Sequence, residues 1–402
     1  MLWTNQKAVF VVLLFSALLG FALPSSTALT NIMVPLCGLL GLYWARGQIV
    51  EFFRSNPFAF LPLLLWLALA LGAVFSPAPE AWAYFAKYKK LLFIPLLALF
   101  FLKGPEKTIQ YAIAGFLLGN LGILLLSTLV WSTGQLTWFG VTFFAASAIS
   151  KNAIAQTFLM AFAGTVWLAI GIRHRQWAAF LLAAASFAGV YLMSPQRTGH
   201  LAGLVLLMTL GWMYLQHRWR YWFVAVMGLA ILAIALTNNP VQQRAQLGVT
   251  EVFACQAALN TPQQDQACFT SMGIRSIFYL TALKQIAEYP VLGKGTGAIK
   301  TQIGPLEMSN PHNEYLLQGM QLGLLGIALY LALLASALKM ALGLPRVWAA
   351  VAVGVTLSYA VCSLFNSLLM DISEGNTFSV FFALLLAASA CIAKSKKELN
   401  RV

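Results

Sequence analysis

Long apolar runs, separated by short charged or Gly/Pro-containing breaks, organise this chain. They fall near 8 to 24, 27 to 45, 58 to 75, 89 to 102, 109 to 131 and 152 to 172, then 177 to 194, 199 to 216, 221 to 237, 315 to 337, 347 to 366 and 377 to 393. A bilayer crossing needs roughly 20 apolar residues, so each run predicts a transmembrane helix. The fourth is the weakest. Its apolar stretch, Leu91 to Leu102, is bounded by Lys90 and Lys103 and interrupted by Pro95, so it must borrow Tyr84 to Tyr88 or cross with help from its neighbours. Twelve crossings put both termini on one side. Residues from about 238 to 312 are less hydrophobic and too numerous for a connector. Within them Ile274, Phe278, Ala282 and Ile286 share one helical face, which predicts an amphipathic helix over Gly273 to Tyr289. The expected architecture is one all-α polytopic membrane domain, 1–402, whose residues 238–312 form an ordered external cap. No internal repeat or appended soluble domain interrupts it.

Composition agrees, with 60% hydrophobic and only 9% charged residues among 402. The net charge of +14 would suggest nucleic acid in a soluble protein. Here it follows topology. If the N-terminus is cytoplasmic, that face collects 15 basic residues (Lys7, Arg46, Arg54, Lys103, Lys107, Arg173, Arg175, Arg218, Arg220, Lys339, Arg346, Lys394, Lys396, Lys397 and Arg401) against 3 acids, Glu51, Glu106 and Glu398. The other face has 10 against 8. Scattered over short loops, these residues do not form a nucleic-acid stripe. Lys7, the following apolar run and Ser26-Thr27-Ala28 would also suit a cleavable signal peptide, but a retained first helix keeps the count even. Cys37, Cys362 and Cys391 lie in apolar runs, whereas Cys255 and Cys268 lie in the external stretch, as a disulfide or as two free thiols.

Most catalytic recipes fail on inventory: the chain has four His, two Asp and nine Glu. There is no G-x-x-x-x-G-K-[ST], so nothing suggests a nucleotide-driven pump. Asp371 and Glu374, one turn apart, read as a solvated helix start rather than a metal site. Neither metal nor cofactor is expected. His174 and His217 sit in basic loops, and His200 opens an apolar run. His312 differs. Pro311-His312-Asn313-Glu314 ends the external stretch and leads into an apolar helix, placing an imidazole at the outer membrane boundary, as a general base or as an interfacial polar cap. Arg197, in the tight turn Ser194-Pro195-Gln196-Arg197-Thr198-Gly199, and Arg275, expected in the first turn of the amphipathic helix, share this side. Either suits phosphate oxygens or snorkelling. Lys87, Lys89 and Lys90 form an external basic cluster that would attract an anionic head group or contact phospholipid. The Gly-rich Pro290 to Gly297 segment reads as a loop, an anion cradle or a flexible connector.

His312-Asn313, nine residues, then Gly323-Leu324-Leu325-Gly326 resembles the H-N-x9-G-x-x-G signature of bacterial O-antigen ligases, within the ligase and polymerase superfamily. The Arg197-Thr198-Gly199 turn, Arg275 ahead of an aromatic pair, the Pro290 to Gly297 segment and the stretch from Phe365-Asn366-Ser367 to Glu374 extend the likeness over about residues 190 to 390. The resemblance implies a GT-C-like glycosyltransferase of the bacterial inner membrane. It would move a glycan from undecaprenyl diphosphate to a sugar hydroxyl of lipid A-core on the periplasmic face, without ATP or metal and with inversion. His312 would take the acceptor proton, Arg197 and Arg275 would neutralise the leaving diphosphate, and Asn313, Gln196, Lys87 and Lys89 would contact substrate or orient the imidazole. Gly323 and Gly326 would allow close packing behind the site. The expected partners are the lipid-linked donor, the lipid A-core acceptor and membrane lipids, with no nucleic acid and the chain a monomer. An O-antigen polymerase or protein O-oligosaccharyltransferase would share the donor chemistry. A lipid-linked glycan flippase or other transporter fits less well, because ionisable groups gather at the boundary rather than within the spans.

Overall fold

The computed structural model describes residues 6–138, 141–236, 240–259, 261, 267–303 and 306–399. Arg401, one of the basic residues counted above, lies outside the described residues. Each apolar run is helical. In chain order the first half holds α1 (Gln6–Ser25), α2 (Thr27–Ala45), α3 (Ile49–Ser55), α4 (Phe60–Val74, preceded by a 3-10 turn from Pro57), α5 (Ala81–Ala86), α6 (Lys90–Lys103), α7 (Thr108–Thr133) and α8 (Ala153–His174). Then come α9 (Trp177–Leu192), α10 (Arg197–Tyr214), α11 (His217–Leu236), α12 (Pro240–Ala258), α13 (Ser271–Glu288), α14 (Glu314–Leu342), α15 (Arg346–Cys362) and α16 (Ile372–Leu399). Two short antiparallel strand pairs are also present among the described residues, β1 (Leu136–Trp138) with β2 (Val141–Phe143) and β3 (Thr301–Ile303) with β4 (Leu306–Met308). Seven helices are long and apolar enough to cross a membrane, among the described residues, and α9 and α15 are shorter apolar helices.

Contacts between helix ends sort them into two faces. On one, Lys103 at the end of α6 donates to Gln48 beyond α2. There too, Lys339 of α14 lies 5.3 Å from the Phe58 ring centroid, and Arg346 donates to the carbonyls of Met213 and Tyr214 at 3.1 and 2.9 Å. On the other, Ser150 donates to Pro24 O at 2.8 Å, Lys151 to Ser373 Oγ at 3.0 Å and Asn366 to Thr198 Oγ1 at 2.6 Å. Basic residues mark the first face. The second carries His312.

Small residues bring the helices together, since lipid offers apolar side chains no incentive to associate. A Cβ on Gly115 of α7 would collide with the Ala17 carbonyl of α1. The weak fourth run spans only about 21 Å at 1.5 Å per residue, short of the ~30 Å hydrocarbon core. Neighbouring helices surround it. Leu91, Ile94, Leu97, Ala98, Leu99 and Phe100 are all fully buried, so α6 is sheathed by protein rather than by lipid. Pro95 sits inside it without ending it.

Two boundaries differ from the sequence reading. The run expected to reach 366 stops at Cys362, and the last helix begins at Ile372 rather than near 377. Residues 363 to 371 form turns instead, because their polar and backbone groups serve the His312 face, as set out below.

Among its described residues, the less hydrophobic stretch holds α12 and α13. The α13 face expected from periodicity is inward: Phe278 and Ala282 are buried, and Ile274 and Ile286 pack partly buried against the core. Cys255 and Cys268 are joined by a disulfide, which with Ile277 and the partly buried Leu259 makes a small apolar cluster apart from the main core.

Candidate active site

His312 lies in the left-handed region, φ +53°, an uncommon backbone state for a residue with a side chain. Hydrogen bonds hold it there. Asn310 Oδ1 accepts from His312 N at 2.9 Å and from Ser367 Oγ at 2.6 Å, so one amide oxygen ties the turn to the segment after α15. The next residue, Asn313, caps α14: its Oδ1 accepts from Leu316 N at 3.0 Å, while its Nδ2 donates to Leu364 O at 3.0 Å. Both ends of that amide are therefore engaged within the protein. Tyr279 of α13 donates to the same Leu364 carbonyl at 2.6 Å and reaches His312 O at 3.4 Å. Burial pushes the Tyr279 phenol up.

The imidazole is half-buried. Burial holds His312 below its ordinary value, and the neighbouring Arg275 guanidinium lowers it further. A neutral ring able to accept a proton is the consequence. Arg275 is the fifth residue of α13, beyond the first turn where the sequence reading put it, so charge rather than the helix N-terminus is its contribution. Among the described residues it makes no hydrogen bond or ion pair, and its electrostatic partners are His312 and Tyr279.

Arg197 is exposed at the start of α10 and runs beside α12, where a Cβ on Gly248 would stand 3.1 Å from its Nη1 and 3.3 Å from Met272 of α13. The following residue, Thr198, bonds Asn366, next to the Ser367 that bonds Asn310. The two arginines and His312 thus border one neighbourhood. Gln196 precedes α10 without capping it through its side chain, and its backbone N–H donates to Ser194 Oγ at 3.2 Å.

The three lysines separate. Lys87 is exposed, 4.2 Å from the Tyr84 ring centroid, and acts electrostatically on Asp371. Tyr84 in turn donates to Ser309 O at 3.2 Å, which sets Lys87 near the turn that leads to His312. Lys89 lines a 220 Å³ cavity with Asn31 and Asn376, to which Lys90 also contributes. Lys90 is buried and donates to Met370 O and Asp371 O at 3.0 and 2.5 Å, so it is a structural pin, not a free head-group attractant. Asp371 and Glu374 are likewise not a solvated helix start. Burial raises Asp371 against the pull of Lys90 and Lys87, and Glu374 is 1% exposed, its Oε1 accepting no hydrogen bond among the described residues.

The Gly-rich segment has a specific task. At Gly323 (φ 61°, ψ −150°) α14 is broken, which would strand backbone groups inside the membrane. Residues 290 to 295 satisfy them: Lys294 N donates to Met320 O (2.9 Å), Gly295 N to Gln321 O (3.1 Å), Leu324 N to Pro290 O (2.7 Å) and Leu325 N to Val291 O (3.4 Å). Gly293 N, Thr296 N and Gly297 N are engaged by Tyr289 O, Gly72 O and Gln321 Oε1. Five consecutive amides are spent, so the segment is neither an anion cradle nor a loose connector.

Behind it lies a polar network that sequence reasoning missed. Glu314, fully buried, accepts from Leu369 N (2.8 Å), Met370 N (3.2 Å) and Gln318 Nε2 (2.7 Å), while Gln318 and Gln321 both donate to Tyr88. Its signal was present: three polar residues within one apolar helix demand partners. Among the described residues no three His, Cys, Asp or Glu side chains converge as a metal site would require.

Residues 178–331 match the family described as O-antigen ligase, a segment that runs from α9 through the break in α14 and contains His312, Arg197 and Arg275. No curated protein matches the chain.

Proposed function

We propose that this chain, a multi-pass membrane protein of the O-antigen ligase superfamily, transfers a glycan from undecaprenyl diphosphate to a sugar hydroxyl of lipid A-core on the face that carries His312. The observation that supports it best is the half-buried His312 imidazole beside the Arg275 guanidinium, where burial and the like charge both disfavour its protonated form. In the reaction, His312 accepts the proton of the acceptor hydroxyl. That oxygen attacks the anomeric carbon opposite the diphosphate, the bond to the diphosphate breaks, and the configuration inverts. A diphosphate leaves readily once its charge is matched, which is the role of Arg275 and Arg197 in place of a divalent ion. Lys87 adds positive potential at the same edge. Asn313, Asn310 and Tyr279 hold the turn instead of touching substrate, and α12 and α13 cover it. The face is the periplasmic side of the inner membrane, the basic face being cytoplasmic.

Reconstitution with undecaprenyl-diphosphate glycan and rough lipopolysaccharide, in EDTA and without ATP, tests this on a lipopolysaccharide gel. A ladder on lipid A-core that vanishes in His312→Gly supports the ligase. Glycine tolerates the left-handed turn, so loss reports the imidazole and not the backbone. Lengthening of the lipid-linked donor would instead mean a polymerase, and a full ladder in His312→Gly would remove the general base.

A further inference from the structure

A second site lies on the opposite face. Between α1 and α7 on one side and α8, α15 and α16 on the other runs a groove of about 880 Å³. Phe116, Phe162, Trp348, Phe381 and Leu384 are among its walls, and its few polar side chains concentrate at one end. Along α16 it extends from Thr377 to Ile392, a distance of about 22 Å at 1.5 Å per residue. One leaflet of hydrocarbon is only about 15 Å deep. Thr377, at the inner end, already donates its hydroxyl proton to Ser373 O at 2.8 Å, so its side chain offers no donor there.

The mouth is different. Arg173 and His174, the last residues of α8, line it and are both exposed; Gln110 stands at the same level near the start of α7, and no acidic side chain lines the groove. This end belongs to the basic face, opposite His312. A long apolar slot in a membrane helix bundle, opened at the boundary by a cation, has the chemistry of a two-part amphiphile: an anionic head on the guanidinium and straightened hydrocarbon below it.

We propose that this groove binds an anionic glycerophospholipid of the leaflet on the basic face, its phosphate against Arg173 and His174 and its acyl chain laid along α16. The site is independent of the transfer reaction, since its occupant enters from the other leaflet and meets none of the residues around His312.

Native mass spectrometry of the delipidated full chain in detergent, titrated with phosphatidylglycerol or with phosphatidylethanolamine of the same acyl chains, measures it. The expected result is one retained phosphatidylglycerol per chain, with at least fivefold preference over phosphatidylethanolamine, and loss of that preference in Arg173→Glu. Cys391, an exposed free thiol that lines the groove, gives a second readout without any substitution. Its maleimide labelling should slow several-fold with phosphatidylglycerol and not with phosphatidylethanolamine. Equal retention of the two lipids, an undiminished preference in Arg173→Glu, or labelling of Cys391 indifferent to lipid would each overturn the proposal.

Discussion

Replacing Gly323 by alanine adds one methyl group at the break in α14, and its cost can be worked from the structure. The native φ of 61° with ψ of −150° lies where only glycine rests easily, so the backbone strain alone is about 1–3 kcal/mol. The new Cβ would also stand 2.6 Å from Pro290 O and 2.5 Å from the Val291 carbonyl carbon, backbone atoms that cannot rotate away. Relief requires the 290–297 segment to withdraw, and withdrawal loosens four hydrogen bonds worth roughly 1 kcal/mol each. Gly323→Ala should therefore destabilise by about 5–7 kcal/mol if all four bonds are lost. Gly122 of α7 is the matched control, because its added Cβ meets nothing within 4 Å. There alanine should be neutral or stabilising by up to about 1 kcal/mol. Unfolding of both variants in detergent, followed by thermal shift or by sodium dodecyl sulfate titration, makes the comparison. Equal stability of the two would refute the account of the broken helix.

Three further outcomes are expected. Transfer should fall as pH drops through the lowered value of His312, and Arg275→Gln, by removing one of the two causes of that depression, should move the acid limb to higher pH; a pH–rate profile measures this. Reduction of Cys255–Cys268, or the paired substitution to serine, should cost the external cap on the order of 3 kcal/mol, read as faster proteolysis within residues 240–288. Lys90→Met keeps the length but removes the donor to Met370 O and Asp371 O, and should lower stability by about 2–3 kcal/mol, whereas Lys87→Met, at an exposed position, should leave it unchanged in the same unfolding assay.

Helices were the most legible feature of the chain, because a backbone in hydrocarbon has few alternatives and long apolar runs declare them. The α13 face was equally open to reading, its 3.6-residue period being carried by Ile274, Phe278, Ala282 and Ile286. His312, Arg197 and Arg275 stood out by scarcity of ionisable groups, and the structure borders one neighbourhood with them. What was hidden depends on partners far apart in sequence. Lys87, Lys89 and Lys90 look alike as a run, yet the turn after α5 leaves Lys87 exposed and sends Lys89 and Lys90 to a shared cavity, where Lys90 alone is pinned to the carbonyls of residues 370 and 371. The glycines at 293, 295 and 297 suggested an anion cradle, and only the break in α14, over twenty residues later, shows where their amides go. Glu374 reads as solvated because its spacing from Asp371 is that of a surface helix start; its burial comes from packing of the last helix against the rest of the bundle.

The separate apolar cluster around Cys255 and Cys268 has a bearing on local stability. Foldedness in a protein is graded by how much core each element shares, and among the described residues the buried apolar side chain of α12, Cys255, belongs to the separate cluster with Cys268 and Ile277, while Glu251 accepts from Met272 N at 2.9 Å and Gly248 lies against Arg197. In contrast α13 lays Phe278 and Ala282 into the main core. The α12–α13 pair is thus graded in two tiers: α13 should open only as the bundle opens, and α12 should exchange its amides on its own, at lower cost.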